Sequence, residues 1–210
     1  MFVTPKKAIS YRFSECWDHS IQKSWNNILS TFKIEKVLEI GSFEGQSICY
    51  ISEFLPKCEF HCIDTWNGDK ILKKKFDFKL IEENFDYNTN LAKIKNPKHN
   101  FFKYKQQSYK QLSNFISQGK EGYFDFIYID GAHDSQNVLF DAICSFKLLK
   151  DGGLLIFDDY LWKYPNNNNL LDSPKFAIDS FVNTFSDKLY IIRKNLYQLY
   201  LIKTEKLGKI

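Results

Sequence analysis

The sequence predicts an α/β fold, a three-layer sandwich whose mostly parallel sheet is covered by helices on both faces and carries an antiparallel C-terminal hairpin strand. Three observations predict it. Short apolar, β-rich runs alternate with segments of helical periodicity from residue 36 to residue 157, as strands joined by crossover helices do. Acidic residues and glycines stand where those runs stop, the place where an open parallel sheet keeps its ligand crevice. Two further β-rich runs then succeed one another with almost no separation, a spacing that joins antiparallel strands and cannot join parallel ones.

Taken in order, residues 12–32 carry Phe13, Trp17, Ile21, Trp25, Ile28, Leu29 and Phe32 at spacings of mostly three and four, which predicts an amphipathic N-terminal helix packed on the core, as a lid or a dimer element. KVLEI, a helix over 46–54, EFHCI, a long polar insertion over 69–98, NFFKY, a helix over 109–117, FDFIYI, a helix over 135–149 and GGLLIF supply the alternation. Ser173 as N-cap and Pro174 at the first helical position open a helix that runs to Phe185. KLYIIRK and LYQLYLIK, parted only at Asn195, form the closing tight hairpin. There is no internal repeat or linker, and the one low-complexity patch is Asn166 to Asn169, so residues 1–210 read as one domain with a helical extension at 12–32 and a core at 34–203.

The chain has 210 residues, enough for one core and too few for two ordinary domains. With 44% hydrophobic and 26% charged residues, disordered and fibrous classes are excluded, and 20 Phe, 12 Tyr and 4 Trp furnish a large rigid core. A net charge of +4 is too small to announce a polyanionic partner, and only Arg12 and Arg193 are arginines, so nucleic acid is not the expected partner. The lysines between residues 69 and 110 are interspersed with acids and read as a solvated face first and an anion-attracting rim second. No apolar run is long enough to span a membrane and no leader pattern stands behind the first lysines, so a cytoplasmic protein is expected. Cys16, Cys49, Cys58, Cys62 and Cys144 include no CxxC pair; alternation puts Cys58 and Cys62 on one strand face and His61 on the other, which suits buried thiols better than a zinc site.

The first strand end reads VLEIGSFEG, where Gly41 and Gly45 frame a turn whose amides can approach a ligand. The second reads FHCIDTW, with Asp64 at the position that accepts the two hydroxyls of an adenosine ribose; its alternative use is as a turn or cap residue. The fourth and fifth read YIDGAHD and LLIFDDY. Asp130, Asp158 and Asp159 would converge there, and three such carboxylates repel unless a cation neutralises them; all-oxygen ligation suits Mg²⁺, Mn²⁺ or Ca²⁺. His133, three residues after Asp130, is placed either to take a proton from a substrate hydroxyl or to hydrogen-bond a ligand carboxylate.

VLEIGSFEG, IDTWNGD, FDFIYIDGAHDSQNVLFDA, LLKDGGLLIFDDYLW, AIDSFVNTF and LYQLYLIK resemble, in order and spacing, the Rossmann-like class I S-adenosylmethionine-dependent methyltransferases, in particular the small-molecule methyltransferase 24 type. The resemblance implies an enzyme that binds S-adenosyl-L-methionine. Glu39, Gly41, Ser42 and Gly45 would hold its methionine end, Asp64 with Thr65 and Trp66 its ribose, and Gln107 with Ser108 its adenine edge, with Asp130 also against the cofactor. It further implies a divalent cation, Mg²⁺ first, on Asp130, Asp158 and Asp159, and His133 with Asp130 as catalytic residues. The expected reaction is O-methylation of a small-molecule hydroxyl of sugar or natural-product type, in a protein that could form a homodimer. Two rivals stand beside it: a metal-free methyltransferase acting on nitrogen or nucleic acid, and a module that binds S-adenosylmethionine without catalysis.

Overall fold

A computed structural model describes residues 10–15, 19–68, 72–163, 169–194 and 197–205. Trp17, Asn166 to Asn168 and Asn195 lie outside the described residues. Seven strands form one sheet: β1 (Lys36–Ile40), β2 (Glu59–Asp64), β3 (Asn100–Lys105), β4 (Phe124–Ile129), β5 (Leu149–Phe157), β6 (Leu189–Ile192) and β7 (Leu199–Lys203), in the order β3-β2-β1-β4-β5-β7-β6. The first five pair in parallel, and β7 runs antiparallel to both β5 and β6.

The two-residue period of the strands divides the core into two layers. On one face Leu38, Ile40, Ile127, Ile129, Leu155 and Phe157 pack under α5 (Ser108–Ser117), α6 (Ser135–Leu148) and α7 (Pro174–Thr184), through Phe115, Val138, Ala142, Ile178 and Phe181. On the other, Val37, Phe60, Cys62, Phe126, Tyr128 and Ile156 meet α1 (His19–Leu29), α2 (Gln46–Ser52) and α4 (Phe78–Lys95) through Trp25, Ile28, Ile48, Ile51, Ile81 and Phe85. Cys58, Phe60 and Cys62 share that second face, while the His61 ring lies among Tyr104, Phe115 and Phe124, as alternation requires.

Four local expectations are revised. Residues 10–15, expected within the N-terminal helix, are not helical and give backbone donors elsewhere: Arg12 N–H to Asn88 Oδ1 at 2.7 Å and Ser14 N–H to Glu44 Oε2 at 2.6 Å. The segment 69–98, expected to be an insertion, contains α3 (Leu72–Lys75) and α4, and α4 is the crossover that parallel strands β2 and β3 require. The antiparallel strand sits inside the sheet and six residues, 193–198, connect the last two strands, so the hairpin is wider than a tight turn. Ser173 stands at the N-cap of α7 but its hydroxyl makes no cap bond; it donates to the Trp162 carbonyl at 3.3 Å and so ties α7 to the loop after β5.

Among the described lysines of 69–110, Lys75, Lys79, Lys95, Lys103 and Lys105 are paired with acids. Lys103 bonds Asp86 and Glu82, Lys105 bonds Glu82, and Lys95 bonds Glu53. Among the described residues no helix is long and apolar enough to cross a membrane.

Candidate active site

The carboxyl ends of β1, β2, β4 and β5 converge, and four loops leave from them. Gly41 ends β1 with φ +89, and a β-carbon there would lie 2.0 Å from the Asp130 carbonyl oxygen, so only glycine lets the β1 and β4 loops touch. Its N–H reaches Ile63 O at 2.8 Å, and Asp130 N–H returns to Ile40 O at 2.8 Å. Gly45, φ +75, opens α2, and no side chain caps that helix. Among the described residues three non-glycine residues adopt positive φ, and all lie on these loops: Phe43 (46°), Trp66 (44°) and Asp159 (54°). Backbone strain of this kind persists where surrounding contacts over-determine it.

The loops after β1 and β2 are locked together by Asp64. Its Oδ2 accepts Phe43 N–H at 2.8 Å and its Oδ1 accepts Trp66 N–H at 2.7 Å, while Trp66 Nε1 donates to Phe43 O at 2.8 Å. Burial raises the Asp64 pKa, and the backbone donors hold part of that rise back. Glu39, inside this loop pair, has no exposed surface; it accepts the Ser47 hydroxyl, and its Oε2 has no hydrogen-bond partner among the described residues. Burial pushes its pKa to about 8, with the Asp64 charge adding to the rise. Ser42 is buried beside it, and Thr65 is exposed with its hydroxyl accepting Asn67 N–H at 3.3 Å. Glu44, in the same loop, gathers Ser14 N–H, the Ser14 hydroxyl at 2.9 Å and Asn84 Nδ2 at 2.8 Å, which straps residues 10–15 across α4 onto the β1 loop.

On the β3 side, Gln107 is the exposed N-cap residue of α5 and Ser108 begins the helix. Beneath Ser108 lies Asp141 of α6, 1% exposed, whose oxygens make no hydrogen bond of ordinary geometry among the described residues. Burial lifts its pKa to about 7, a rise that the Ser108 hydroxyl partly offsets. Sequence reading passed over this residue, although Val138, Asp141, Ala142 and Ser145 share a helical stripe that marks a core face.

Across from these loops, one ligand atom each from Asp130, His133 and Asp159 lies within 4.8 Å of the others. His133 Nε2 is 2.8 Å from Asp159 Oδ2, and the Trp162 ring stacks on the imidazole with centroids 4.4 Å apart. Asp158 is turned further inward. Its Oδ2 accepts the Tyr128 hydroxyl at 2.6 Å, and its buried Oδ1 has no hydrogen-bond partner among the described residues. Burial, then the Asp158 and Asp159 charges, then Glu39 drive the Asp130 pKa well above the carboxylate range, and Asp158 is raised by burial and by Asp159. Three mutually repelling carboxylates with an orphaned oxygen suit a divalent cation, and oxygen ligands favour a hard ion. Asp130 and Asp159 thus meet with His133, while Asp158, the third acid expected there, lies outside that group and turns towards Tyr128. Tyr128 and the Gln198 side chain behind it escaped sequence reading, because an interior strand tyrosine and a turn glutamine carry no local signal. A cleft of about 510 Å³ beside Lys147, Phe185 and Lys203 holds none of these residues.

Residues 38–160 match the methyltransferase domain family of type 24. Caffeoyl-CoA O-methyltransferase 1 of Eucalyptus globulus is 25% identical over 171 residues, covering 81% of this chain and 61% of that protein. The caffeoyl-CoA O-methyltransferase of Eucalyptus gunnii is likewise 25% identical, with the same coverage. The chain spans 57% to 61% of the length of the curated relatives it matches. Among solved structures, the O-methyltransferase TomG from Streptomyces achromogenes, in complex with SAM, superposes with a TM-score of 0.64 at 13% identity, over 90% of this chain and 82% of that one. The O-methyltransferase from Bacillus cereus, in complex with SAH, gives 0.61 at 14% identity, over 90% and 84%. The structural likeness is one of fold.

Proposed function

The chain belongs to the methyltransferase domain family, and from that premise we propose that it transfers the methyl group of S-adenosyl-L-methionine to a hydroxyl oxygen of a small molecule, with a divalent cation at Asp130, Asp158 and Asp159. The observation that carries this reading is the meeting of the half-buried Asp130, His133 and Asp159, with Asp158 following β5 beside them, directly across the Gly41–Asp130 contact from the Glu39 and Asp64 loops. A hydroxyl acceptor agrees with relatives named as O-methyltransferases.

In this reading Glu39, Gly41, Ser42 and Gly45 seat the methionine end of the cofactor, Asp64 with Thr65 and Trp66 the ribose, and Gln107 with Ser108 the adenine edge. Rigid seating matters because transfer is an in-line displacement: a bond forms from acceptor oxygen to methyl carbon as the carbon–sulfur bond breaks, its electron pair remaining on sulfur. Holding the reactants in line can supply about 7 to 11 kcal/mol of the barrier. A bound Mg²⁺ or Mn²⁺ would supply Lewis acidity that lowers the pKa of an acceptor hydroxyl. His133 moves the proton: its Nε2–H donates to Asp159 Oδ2, leaving the Nδ1 lone pair to receive the hydroxyl proton, while Trp162 fixes the plane of the ring. The direct 2.8 Å contact between His133 and Asp159 also favours a second reading, a metal-free transfer in which these two residues form the base.

Chelation separates the two. With S-adenosylmethionine and a panel of catechol and sugar acceptors, excess chelator should abolish transfer, added Mg²⁺ or Mn²⁺ should restore it, and S-adenosylhomocysteine binding should persist throughout. Full turnover in chelator would select the metal-free reading. Tight cofactor binding with no transfer to any acceptor under either condition would leave a non-catalytic binding module.

A further inference from the structure

Behind the carboxylate cluster runs a buried chain of polar contacts that the reaction does not touch. Tyr128 has no exposed surface and its hydroxyl donates to Asp158 Oδ2 at 2.6 Å, with Asp130 Oδ2 at 3.4 Å. Gln198, 3% exposed, places Nε2 at 3.4 Å from that hydroxyl. Gln198 Oε1 in turn accepts Trp25 Nε1 at 2.8 Å and the Tyr200 hydroxyl at 2.6 Å. The Trp25 ring also meets the Tyr128 ring edge-on, centroids 4.9 Å apart, so α1 holds Tyr128 by packing as well as through Gln198. Four elements, α1, β4, β5 and the start of β7, are thereby joined at one point in the core.

We propose that Tyr128 is a positioning residue for Asp158, and that Gln198 and Trp25 keep it in place, so that the cation affinity of the cluster is set in part from the N-terminal helix. Lone pairs decide the matter. A carboxylate free to rotate offers either oxygen to the cluster; with Oδ2 committed to the Tyr128 hydroxyl, Oδ1 is the oxygen left without a partner among the described residues and open for ligation. Outer groups that orient a ligating side chain in this way change metal affinity by about 10- to 100-fold when removed.

This inference rests on the metal reading of the site, and the test distinguishes their failures. Mn²⁺ binding to the full chain is followed by loss of the free-ion electron paramagnetic resonance signal, with S-adenosylhomocysteine binding measured by calorimetry on the same samples. Tyr128→Phe keeps the ring and deletes the donor; Mn²⁺ affinity should fall about 10- to 100-fold with cofactor affinity unchanged. Trp25→Phe keeps an aromatic ring and deletes the Nε1 donor, and should give a smaller fall in the same direction. A parent protein that binds no Mn²⁺ would overturn the metal reading and this inference together. A parent that binds Mn²⁺ with a Tyr128→Phe variant of equal affinity would overturn the inference alone. If Tyr128→Phe does not fold, unchanged Mn²⁺ affinity in Trp25→Phe overturns it.

Discussion

The loops after β1 and β2 and the loops after β4 and β5 face each other across one contact, yet they are held by different forces. In the first pair the fixing bonds are backbone donors on a side-chain acceptor: Asp64 ties Phe43 N–H to Trp66 N–H, and Trp66 ties back to the Phe43 carbonyl. In the second pair the groups at the centre repel. Burial and the neighbouring carboxylates raise the pKa values of Asp130 and Asp158, and the Asp158 Oδ1 is buried with no partner among the described residues. The loops of the first pair are tied by their own hydrogen bonds, and those of the second bring like charges together. A cofactor seat can be preformed by the main chain, whereas a cation seat must carry its electrostatic cost until the ion arrives.

Four substitutions probe that contrast. The largest effect belongs to Gly41→Ala, which strikes the contact between the two pairs: a β-carbon 2.0 Å from the Asp130 carbonyl at φ +89 should cost at least about 3 kcal/mol in denaturant unfolding and disturb both seats at once. A variant as stable as the parent would mean the loops are not in contact in solution. Next, His133→Ala should lower the transfer rate by about 10²- to 10⁴-fold while Mn²⁺ and S-adenosylhomocysteine still bind, because it removes the proton acceptor from one side only. Asp64→Ala should weaken S-adenosylhomocysteine by about 1.5 to 3 kcal/mol in calorimetry and leave Mn²⁺ affinity alone; loss of Mn²⁺ binding would show that the two pairs are not independent.

The fourth effect is read as a pH dependence. Glu39 keeps its proton up to about 8 in the folded chain, against an ordinary value of 4.5. Below the ordinary value both states are protonated and burial of this residue carries no charge penalty. As pH rises from there towards the folded value, the unfolded chain ionises while the folded chain does not, so the parent loses stability over that window and levels off above it. Glu39→Gln has no such penalty. The difference in Tm between variant and parent should therefore move in the variant's favour from about pH 5 to about pH 8.5, and a constant difference would remove Glu39 as the buried titrating group.

Strand ends were legible in the sequence because a parallel sheet puts its loops at one edge, so IDTW, IDGAHD and FDDY had to meet the GSFEG turn whatever the helices did. The crossover α4 was not, and its buried side explains why: between Phe85 and Leu91 it buries Asn88 and Thr89, polar residues that dilute the apolar stripe. Asn88 is there for tertiary reasons, bonding Arg12 O and Glu44 O at 2.8 and 2.9 Å, which no local pattern reports. The same holds for residues 10–15, where Glu44, thirty positions on from Ser14, takes its backbone donor. The inward turn of Asp158 was hidden likewise, since its partner Tyr128 reads as one more aromatic in FDFIYI.

The place of β7 gives the sheet an order of completion. β6 precedes it in the chain but touches the rest of the sheet only through it, so until Leu199–Lys203 slots in, β6 has no strand to dock on and the ladder edge of β5 stays open. The contact that closes the core, Trp25 to Gln198, spans 173 positions, close to the longest loop this chain can close. The bonds of Asp64 to Phe43 and Trp66 need no part of the chain beyond the loop after β2, whereas Gln198 can stand behind Tyr128 and Asp158 only once β7 is in place.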